Sequence, residues 1–247
     1  MHKFETVKNL LSRILHIIFP EYCIVCRNVL EIGEHKICDA CIGKIVEVEN
    51  VCLKCGNPLN FIQDWCNACS PKRIYYEKLF ALYYYSDTIR FLIKQLKYKP
   101  SDETIENLEF FYSFFTSNSE IFSEMEILIK DLDFIIPVPI HIMREEKRGY
   151  NQSMLFSTIL SDIFGLPVND KIIKKIKNTR FFYKLDTKAR HGELENAFEV
   201  LDKNLVYGKN ILLVDDISTT GATFNNISKI LLENGANSVF CFCVAHE

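Results

Sequence analysis

An acidic pair followed by small, hydroxyl-bearing residues lies near the end of the sequence, within ILLVDDISTTGATF at 211–224. The apolar ILLV run is typical of a parallel strand that is covered on both faces, and it ends in Asp215 and Asp216. Apolar residues then recur at helical spacing, and Gly235 is placed to end that helix. In open α/β sheets, ligands bind between the carboxyl end of a strand and the N-terminus of the next helix.

The turn between this strand and helix has the composition of a phosphate-binding site. Small residues before a helix allow several backbone N–H groups to converge on one anion, and Ser and Thr hydroxyls add further donors. The neighbouring carboxylates would repel phosphate, so they suit sugar hydroxyls or a Mg²⁺ ion. Together these features favour a phosphorylated ribose as the ligand. The residues of this turn are Ser218, Thr219, Thr220, Gly221, Ala222 and Thr223.

Eight of the ten cysteines form four C-x-x-C pairs between residues 23 and 69. One such turn presents two thiolates to a tetrahedral ion, and a second turn completes a closed four-cysteine site. Four pairs therefore predict two structural zinc ions. Successive pairing would give two small ribbons and interleaved pairing would give a cross-brace, and the spacing allows both. The pairs are Cys23/Cys26, Cys38/Cys41, Cys52/Cys55 and Cys66/Cys69.

The elements that position the acidic turn are predicted from about residue 80 onward. Strand–helix alternation with apolar strands predicts an α/β fold with a parallel sheet flanked by helices. Between two of its elements the sequence REEKRGYNQ, at 144–152, predicts a basic loop, whose cations either stabilise negative charge on a ligand or form a solvated turn. Asn151 and Gln152 are placed to cap the following helix. The predicted strands include those at 134–140, 197–201, 210–216 and 238–245.

Residue composition changes along the chain and predicts three parts. The net charge of −3 gives no overall attraction to nucleic acid, but residues 171–190 hold eight Lys or Arg against one acid. The N-terminal residues predict an amphipathic helix, and no run is long enough to span a bilayer. We expect an N-terminal helix, a double zinc-ribbon domain and an α/β domain, at 1–20, 21–72 and 78–247.

Two motifs relate the chain to a known family. VDDISTTGAT resembles the 5-phosphoribosyl-1-pyrophosphate (PRPP) signature of type I phosphoribosyltransferases, and RGYNQ follows the IIPVP strand. With the cysteine pairs and the apolar N-terminal helix, the chain resembles the ComF (ComFC/GntX) family over residues 7–245. The resemblance implies a type I phosphoribosyltransferase-like fold preceded by the zinc ribbons, PRPP and Mg²⁺ as ligands, and a role in DNA uptake during natural competence.

The resemblance also implies roles for individual residues. Asp215 and Asp216 would hold the ribose hydroxyls, and the turn from Ser218 to Thr223 would hold the 5-phosphate. A catalytic loop is expected at 174–196, although the sequence departs there from the Gln and Asn of the family, near Phe182 and Glu193. The loop after IIPVP would meet pyrophosphate and Mg²⁺ through Arg144, Lys147, Arg148, Gly149 and Tyr150. The implied catalytic set is Asp215, Asp216, Arg148 and Arg190.

The sequence leaves two functions open. The first is an enzyme that transfers phosphoribosyl from PRPP to an unnamed acceptor. The second is a non-catalytic accessory that binds single-stranded DNA and other competence proteins, such as a DNA-translocating helicase. The stretch Lys171–Arg190 suits the second function, because cations follow phosphates while Phe181, Phe182 and Tyr183 can stack on bases. The expected location is cytoplasmic, at the inner face of the membrane where the resemblance places DNA entry.

Overall fold

The computed structural model describes residues 16, 18–31, 36–48, 52, 59, 66, 69, 74–95, 119–177 and 196–247. In chain order its elements are α1 (Asp39–Ile42), β1 (Leu79–Tyr84), α2 (Asp87–Gln95), α3 (Ser119–Ile129), β2 (Phe134–Pro137), α4 (Ile142–Arg148), α5 (Gln152–Phe164), β3 (Ile173–Lys175), β4 (Phe198–Val200), β5 (Asn210–Ser218), α6 (Ala222–Glu233) and β6 (Ser238–His246). Most of the predicted N-terminal helix lies outside the described residues.

Four strands form a parallel sheet in the order β1-β6-β5-β2, which confirms the predicted fold class. The apolar run of β5 lies at the centre, and Ile211 to Val214 are fully buried. Such a strand must be apolar along its length, because alternate side chains enter the cores on both faces of the sheet. β2 and β5 are adjacent, so their carboxyl ends open at the same edge.

Helices cover both faces of this sheet. Leu212 and Val214 pack in one core with Phe156 of α5, whereas Ile211 and Leu213 belong to the other core with Phe224 of α6. The second core also contains Cys241 and Cys243, which are fully buried and pack there as small apolar side chains. The carboxyl edge of the sheet is therefore held between two helices that are fixed by apolar burial.

The predicted basic loop at 144–152 is wrong in part, because residues 142–148 form helix α4. His141 caps it, since its Nδ1 accepts a hydrogen bond from the backbone N–H of Met143 at 3.3 Å. Gly149 ends it in the left-handed conformation with φ of 87°, a geometry that glycine adopts without strain. Asn151 then caps α5 by accepting from the N–H of Ser153, which confirms that part of the prediction.

The strand predicted at 197–201 does not join the parallel sheet. As β4 it pairs with β3 in a separate two-stranded antiparallel sheet, with Lys174 opposite Glu199. Its burial alternates, because Phe198 is buried and Glu199 is exposed. That pattern suits a strand with one covered face, not one enclosed on both sides.

The cysteine-bearing segment packs directly on the sheet. Residues 46–48 run antiparallel to β1, where the N–H of Val48 donates to the carbonyl of Leu82 at 3.0 Å and Tyr84 returns a bond to Val46 at 2.9 Å. Cys38 and Cys41 belong to the same apolar core as Leu82. Among the described residues, no helix is both long and apolar enough to cross a membrane.

Candidate functional site

The acidic pair and the small-residue turn line one pocket of about 220 Å³ at the carboxyl edge of the sheet. β5 continues through Asp215 to Ser218 because its pairing with β6 extends to His246, so the carboxylates project from a fixed strand. All six predicted residues of the turn line the pocket. The same pocket is also lined by Arg144 and Arg148 of α4. The structure therefore brings together an anion-binding turn, two carboxylates and two guanidinium groups.

The two aspartates have different hydrogen-bond environments. Asp215 Oδ1 accepts from the Ser153 hydroxyl at 2.7 Å and from the backbone N–H of Asp216 at 2.9 Å. Asp216 Oδ1 accepts from the backbone N–H of Ile217 at 2.8 Å. Burial, and then repulsion from Asp216, raise the pKa of Asp215 far above its ordinary value. A ligand hydroxyl or a divalent cation at this point would stabilise the ionised form of the pair.

The backbone of the turn at 218–223 packs closely against Tyr76 at Gly221, where there is no side chain. Gly221 caps α6 with φ of 66°, and a Cβ built there would lie 2.6 Å from the hydroxyl oxygen of Tyr76. Glycine is therefore required both by its conformation and by this contact. The buried hydroxyl of Ser218 has no hydrogen-bond partner within the described part of the chain. An incoming phosphate oxygen would satisfy such a group.

The basic side of the pocket is ordered by the junction of α4 and α5. Arg148 donates to the side-chain oxygen of Gln152 at 3.1 Å. Burial, and then the charge of Arg148, lower the pKa of Arg144, so the helix presents two closely spaced cations to the pocket. The positive charges of Arg144 and Arg148 repel each other when no anion is bound. An anion in the pocket relieves this repulsion.

Not every predicted residue of the basic segment reaches the small pocket. Gly149 and Tyr150 line a larger neighbouring cavity of about 530 Å³. The Tyr150 hydroxyl is buried without a hydrogen-bond partner among the residues described, and burial raises its pKa to about 12. The side chain of Lys147 and all of Arg190 lie outside the described residues. Their predicted contacts with pyrophosphate remain predictions.

Motif reasoning missed two residues that contribute to the site, and it expected a third, Lys175, only as part of the catalytic loop at 174–196. Ser153 is only 2% exposed and supports Asp215, and Tyr76 packs on Gly221. Lys175 lines the pocket from β3 and is 8% exposed, whereas Lys174 beside it is exposed and lines the larger cavity. The sequence carried a signal for Lys175, because in a strand it shares a face with the apolar Ile173. Because several neighbouring residues are also lysines, this burial of Lys175 was not predicted.

The cysteines gather as successive pairs. The sulfur atoms of one set of four lie within 4.8 Å of one another, and those of three members of a second set do the same, while Cys55 lies outside the described residues. The backbone N–H of Cys38 donates to Cys23 Sγ at 3.4 Å. Against the effect of burial, backbone donors lower the pKa of Cys23 to about 6, which favours the metal-binding thiolate. The sets are Cys23, Cys26, Cys38 and Cys41, and Cys52, Cys66 and Cys69.

Comparison with known proteins gives a family context for both parts of the chain. The model of the double zinc ribbon domain matches residues 14–70, and that of the phosphoribosyl transferase domain matches residues 125–247. The first match, together with the two cysteine sets, supports structural zinc. The second contains α4, the acidic pair and the small-residue turn at 218–223. The α/β part is thus a phosphoribosyltransferase-like domain behind a double zinc ribbon.

Several curated relatives match nearly the whole chain. DNA utilization protein YhgH of Salmonella typhi is 27% identical over 238 residues, covering 91% of this chain and 96% of the relative. Competence protein ComFC of Bacillus subtilis is 27% identical over 223 residues, covering 85% and 83% respectively. A purine phosphoribosyltransferase from Pyrococcus horikoshii covers 54% of the chain at 19% identity, but its TM-score of 0.31 is too low to support any inference.

Competence protein F of Haemophilus influenzae is 30% identical over 221 residues, which cover 88% of this chain and 93% of the relative. The match therefore spans the cysteine segment and the strand-end pocket alike. Identity at this level along almost the entire relative shows that the chain belongs to the competence protein F (ComF) family.

Proposed function

We propose that the chain binds PRPP with Mg²⁺ in the strand-end pocket and transfers its phosphoribosyl group to an acceptor, in support of DNA uptake. One observation carries the proposal. Arg144 and Arg148 are distant in sequence from Asp215 and the turn after it, yet all of them line one pocket of about 220 Å³. A ligand that carries phosphates at two ends of a diol matches this arrangement of groups.

Each part of the pocket suits one part of PRPP. The turn at 218–223 offers backbone and hydroxyl donors to the 5-phosphate, including the unsatisfied hydroxyl of Ser218. The carboxylates of Asp215 and Asp216 accept from the ribose hydroxyls. Their oxygens are also the ligands that a hard cation such as Mg²⁺ prefers. In this binding mode the pyrophosphate would contact Arg144 and Arg148, which line the same pocket.

The transfer step requires positive charge at the leaving group. The lone pair of the acceptor forms a bond to ribose C1 while the bond from C1 to the pyrophosphate oxygen breaks, and pyrophosphate departs with that electron pair. Arg144 and Arg148 stabilise the charge that develops there. Bound Mg²⁺ supplies Lewis-acid chemistry to the same group. The two guanidinium groups are held on a short capped helix, so little reorganisation is needed.

The first test is calorimetric titration of PRPP with Mg²⁺ into the wild type and into Asp215→Asn/Asp216→Asn. We expect binding by the wild type and its loss in the double variant, because Asn cannot supply the two negative charges. The exposed pair Asp131→Asn/Asp162→Asn removes the same charge outside the pocket and should bind like wild type. Absence of binding by folded, zinc-loaded wild type would refute the proposal.

A second candidate function is binding of single-stranded DNA by the basic stretch. Within its described part, Lys171, Lys174 and Lys177 are exposed, whereas Lys175 lines the pocket. Relatives are named as competence and DNA utilization proteins, which favours a DNA-related role. This function would need no catalysis. It would include contacts with other competence proteins, such as a DNA-translocating helicase.

Salt dependence distinguishes this candidate from binding of PRPP alone. If Lys171 and Lys177 contact phosphates, Lys171→Ala/Lys177→Ala should weaken single-stranded DNA binding. The slope of log affinity against log salt should fall by roughly 1.4, since each phosphate contact contributes about 0.7. Binding of PRPP should be unaffected. An unchanged slope would show that these lysines do not contact DNA phosphates.

A further inference from the structure

Ser153 is a buried residue in the first turn of α5, and its hydroxyl is used differently from those further along the helix. Ser157 and Thr158 each donate to the backbone carbonyl four residues earlier, at 2.8 and 3.0 Å, as hydroxyl-bearing residues commonly do within a helix. Ser153 instead donates out of its helix, to Asp215 Oδ1 of β5 at 2.7 Å. When Asp215 is ionised, a bond of this length is charge-assisted and therefore strong.

The position of this hydroxyl is fixed by a closed ring of hydrogen bonds that joins β2, β5 and α5. The N–H of Val138 donates to the carbonyl of Val214 at 2.8 Å, directly before Asp215. Asn151, which caps α5, donates to the carbonyl of Val138 at 3.0 Å and accepts from the N–H of Ser153 at 3.1 Å. The bond from Ser153 to Asp215 closes the ring. The first turn of α5 is thus held against the ends of both strands.

The two oxygens of the Asp215 carboxyl group are in different positions as a result. Oδ1 accepts from the Ser153 hydroxyl and from the N–H of Asp216 at 2.9 Å. A carboxylate oxygen has two lone pairs for such bonds, and on Oδ1 both are in use. Oδ2 is therefore the oxygen that remains for a ligand in the pocket that Asp215 lines.

We propose that Ser153 is a positioning residue of the strand-end pocket, whose hydroxyl holds Oδ1 of Asp215 so that Oδ2 accepts from a ribose hydroxyl of the ligand. This inference rests on the proposed function. Without the Ser153 hydroxyl the carboxyl group can rotate, and ligand binding must then fix it again, which lowers the affinity. Groups that bind through the arginines alone should be affected less, because Arg148 has its own support from Gln152.

The test compares Ser153→Ala with Ser157→Ala by calorimetric titration of PRPP with Mg²⁺. Each variant removes one buried hydroxyl from the same helix, but the hydroxyl of Ser157 bonds to a helix carbonyl and not to Asp215. We expect Ser153→Ala to weaken PRPP binding about tenfold or more, and Ser157→Ala to bind like wild type. Inorganic pyrophosphate, which has no ribose, should bind Ser153→Ala like wild type when it is titrated without added Mg²⁺.

A second pair of variants isolates the hydroxyl from the volume of the side chain at this buried position. Ser153→Thr and Ser153→Val have side chains of nearly the same shape, and threonine alone keeps the hydroxyl. We expect Ser153→Thr to bind PRPP about tenfold more tightly than Ser153→Val. Thermal denaturation without ligand establishes that each variant is folded at the temperature of the titration. Equal binding by the two variants would overturn the proposal, since the hydroxyl would then have no role.

The outcomes for wild type separate this inference from the function on which it rests. Wild type that binds PRPP, beside a Ser153→Ala variant that binds it equally well, contradicts only the role of Ser153. An equal loss of affinity in Ser157→Ala, or an equal loss for PRPP and pyrophosphate, contradicts it as well, because Ser153 would then only support the helix. Wild type that binds neither probe contradicts the proposed function, and the role of Ser153 fails with it.

Discussion

At the scale of single residues, the acidic pair is asymmetric. Asp215 accepts hydrogen bonds from Ser153 and from the N–H of its neighbour, whereas Asp216 accepts from Ile217. The serine belongs to α5, so one carboxylate is tied to the helix that also carries Gln152, the partner of Arg148. The acidic and basic sides of the pocket are therefore connected through the first residues of one helix.

Asp215→Asn should stabilise the free protein at neutral pH by on the order of 1–3 kcal/mol, measured by urea denaturation without Mg²⁺ or ligand. The folded pKa of Asp215 is raised above its unfolded value of about 3.9, so the folded state binds more protons between these values. Wild-type stability consequently falls as pH rises through that window. Asn accepts the same hydrogen bonds without titrating.

The gain from Asp215→Asn should therefore be larger at pH 7.5 than at pH 5.5. Asp131→Asn, which changes an exposed carboxyl group, serves as the control for the loss of one charge. A gain that shrinks as pH rises would contradict the assigned direction of the shift.

At the scale of elements, the start of α6 depends on a residue far away in sequence. The hydroxyl of Tyr76 occupies the space beside Gly221, its ring meets Phe224 edge-on at 6.4 Å, and the N–H of Tyr75 donates to Asn225 at 2.8 Å. The segment that precedes β1 thus fixes the first turn of the helix. The geometry of the small-residue turn at 218–223 is set by this packing as well as by its own sequence.

Gly221→Ala should weaken PRPP binding more than tenfold and lower stability by more than the roughly 1–2 kcal/mol of left-handed strain, because the new Cβ meets Tyr76. Gly165→Ala provides the matched control. Its φ is 72° but nothing lies within 4 Å of an added Cβ, so it should show the strain alone and bind PRPP normally.

Tyr76→Phe in the Gly221→Ala background should recover part of the lost stability and affinity, because it removes the atom that the methyl group meets. Calorimetry measures the affinity for PRPP and urea denaturation measures the stability. Both are applied to wild type, Gly221→Ala, Gly165→Ala and Gly221→Ala/Tyr76→Phe. Equal losses of stability in Gly221→Ala and Gly165→Ala would show that the Tyr76 contact has no energetic role.

At the scale of the whole molecule, the cysteine segment and the sheet share a core. Cys38 and Cys41 pack in the cluster that contains Leu82 and Phe242, and residues 46–48 extend the sheet beside β1. So short a segment has little apolar core of its own and depends on its metal to fold. The state of the metal sites is therefore expected to affect the sheet.

Zinc removal by a strong chelator should lower the melting temperature of the entire chain, by on the order of 10 °C, in a single transition. Metal analysis should find about two zinc ions per chain in wild type and about one in Cys23→Ser. Cys241→Ser should keep both ions, since Cys241 lies in the core of the sheet. A main transition that does not move on chelation would show that the two parts unfold independently.

Patterns that are local in the sequence predicted much of this protein. The C-x-x-C spacing indicated the metal-binding turns, the continuous apolar run of β5 indicated a doubly covered parallel strand, and the small residues after Asp216 indicated an anion-binding turn. Each of these patterns reflects the chemistry of a few consecutive residues. The helix at 142–148 was missed because its cap is a histidine, a residue that is not a strong capping signal.

The strand order and the inward faces were decided only by the tertiary structure. Nothing in the local sequence states that β2 lies beside β5, or that β4 leaves the parallel sheet to pair with β3. Those pairings bring Arg144, Lys175 and Asp215 to one pocket and Ser153 to Asp215, although each of these residues comes from a different element. Burial is a property of the assembled cores, so residue type and spacing determine which groups can do chemistry, and long-range packing determines which of them meet.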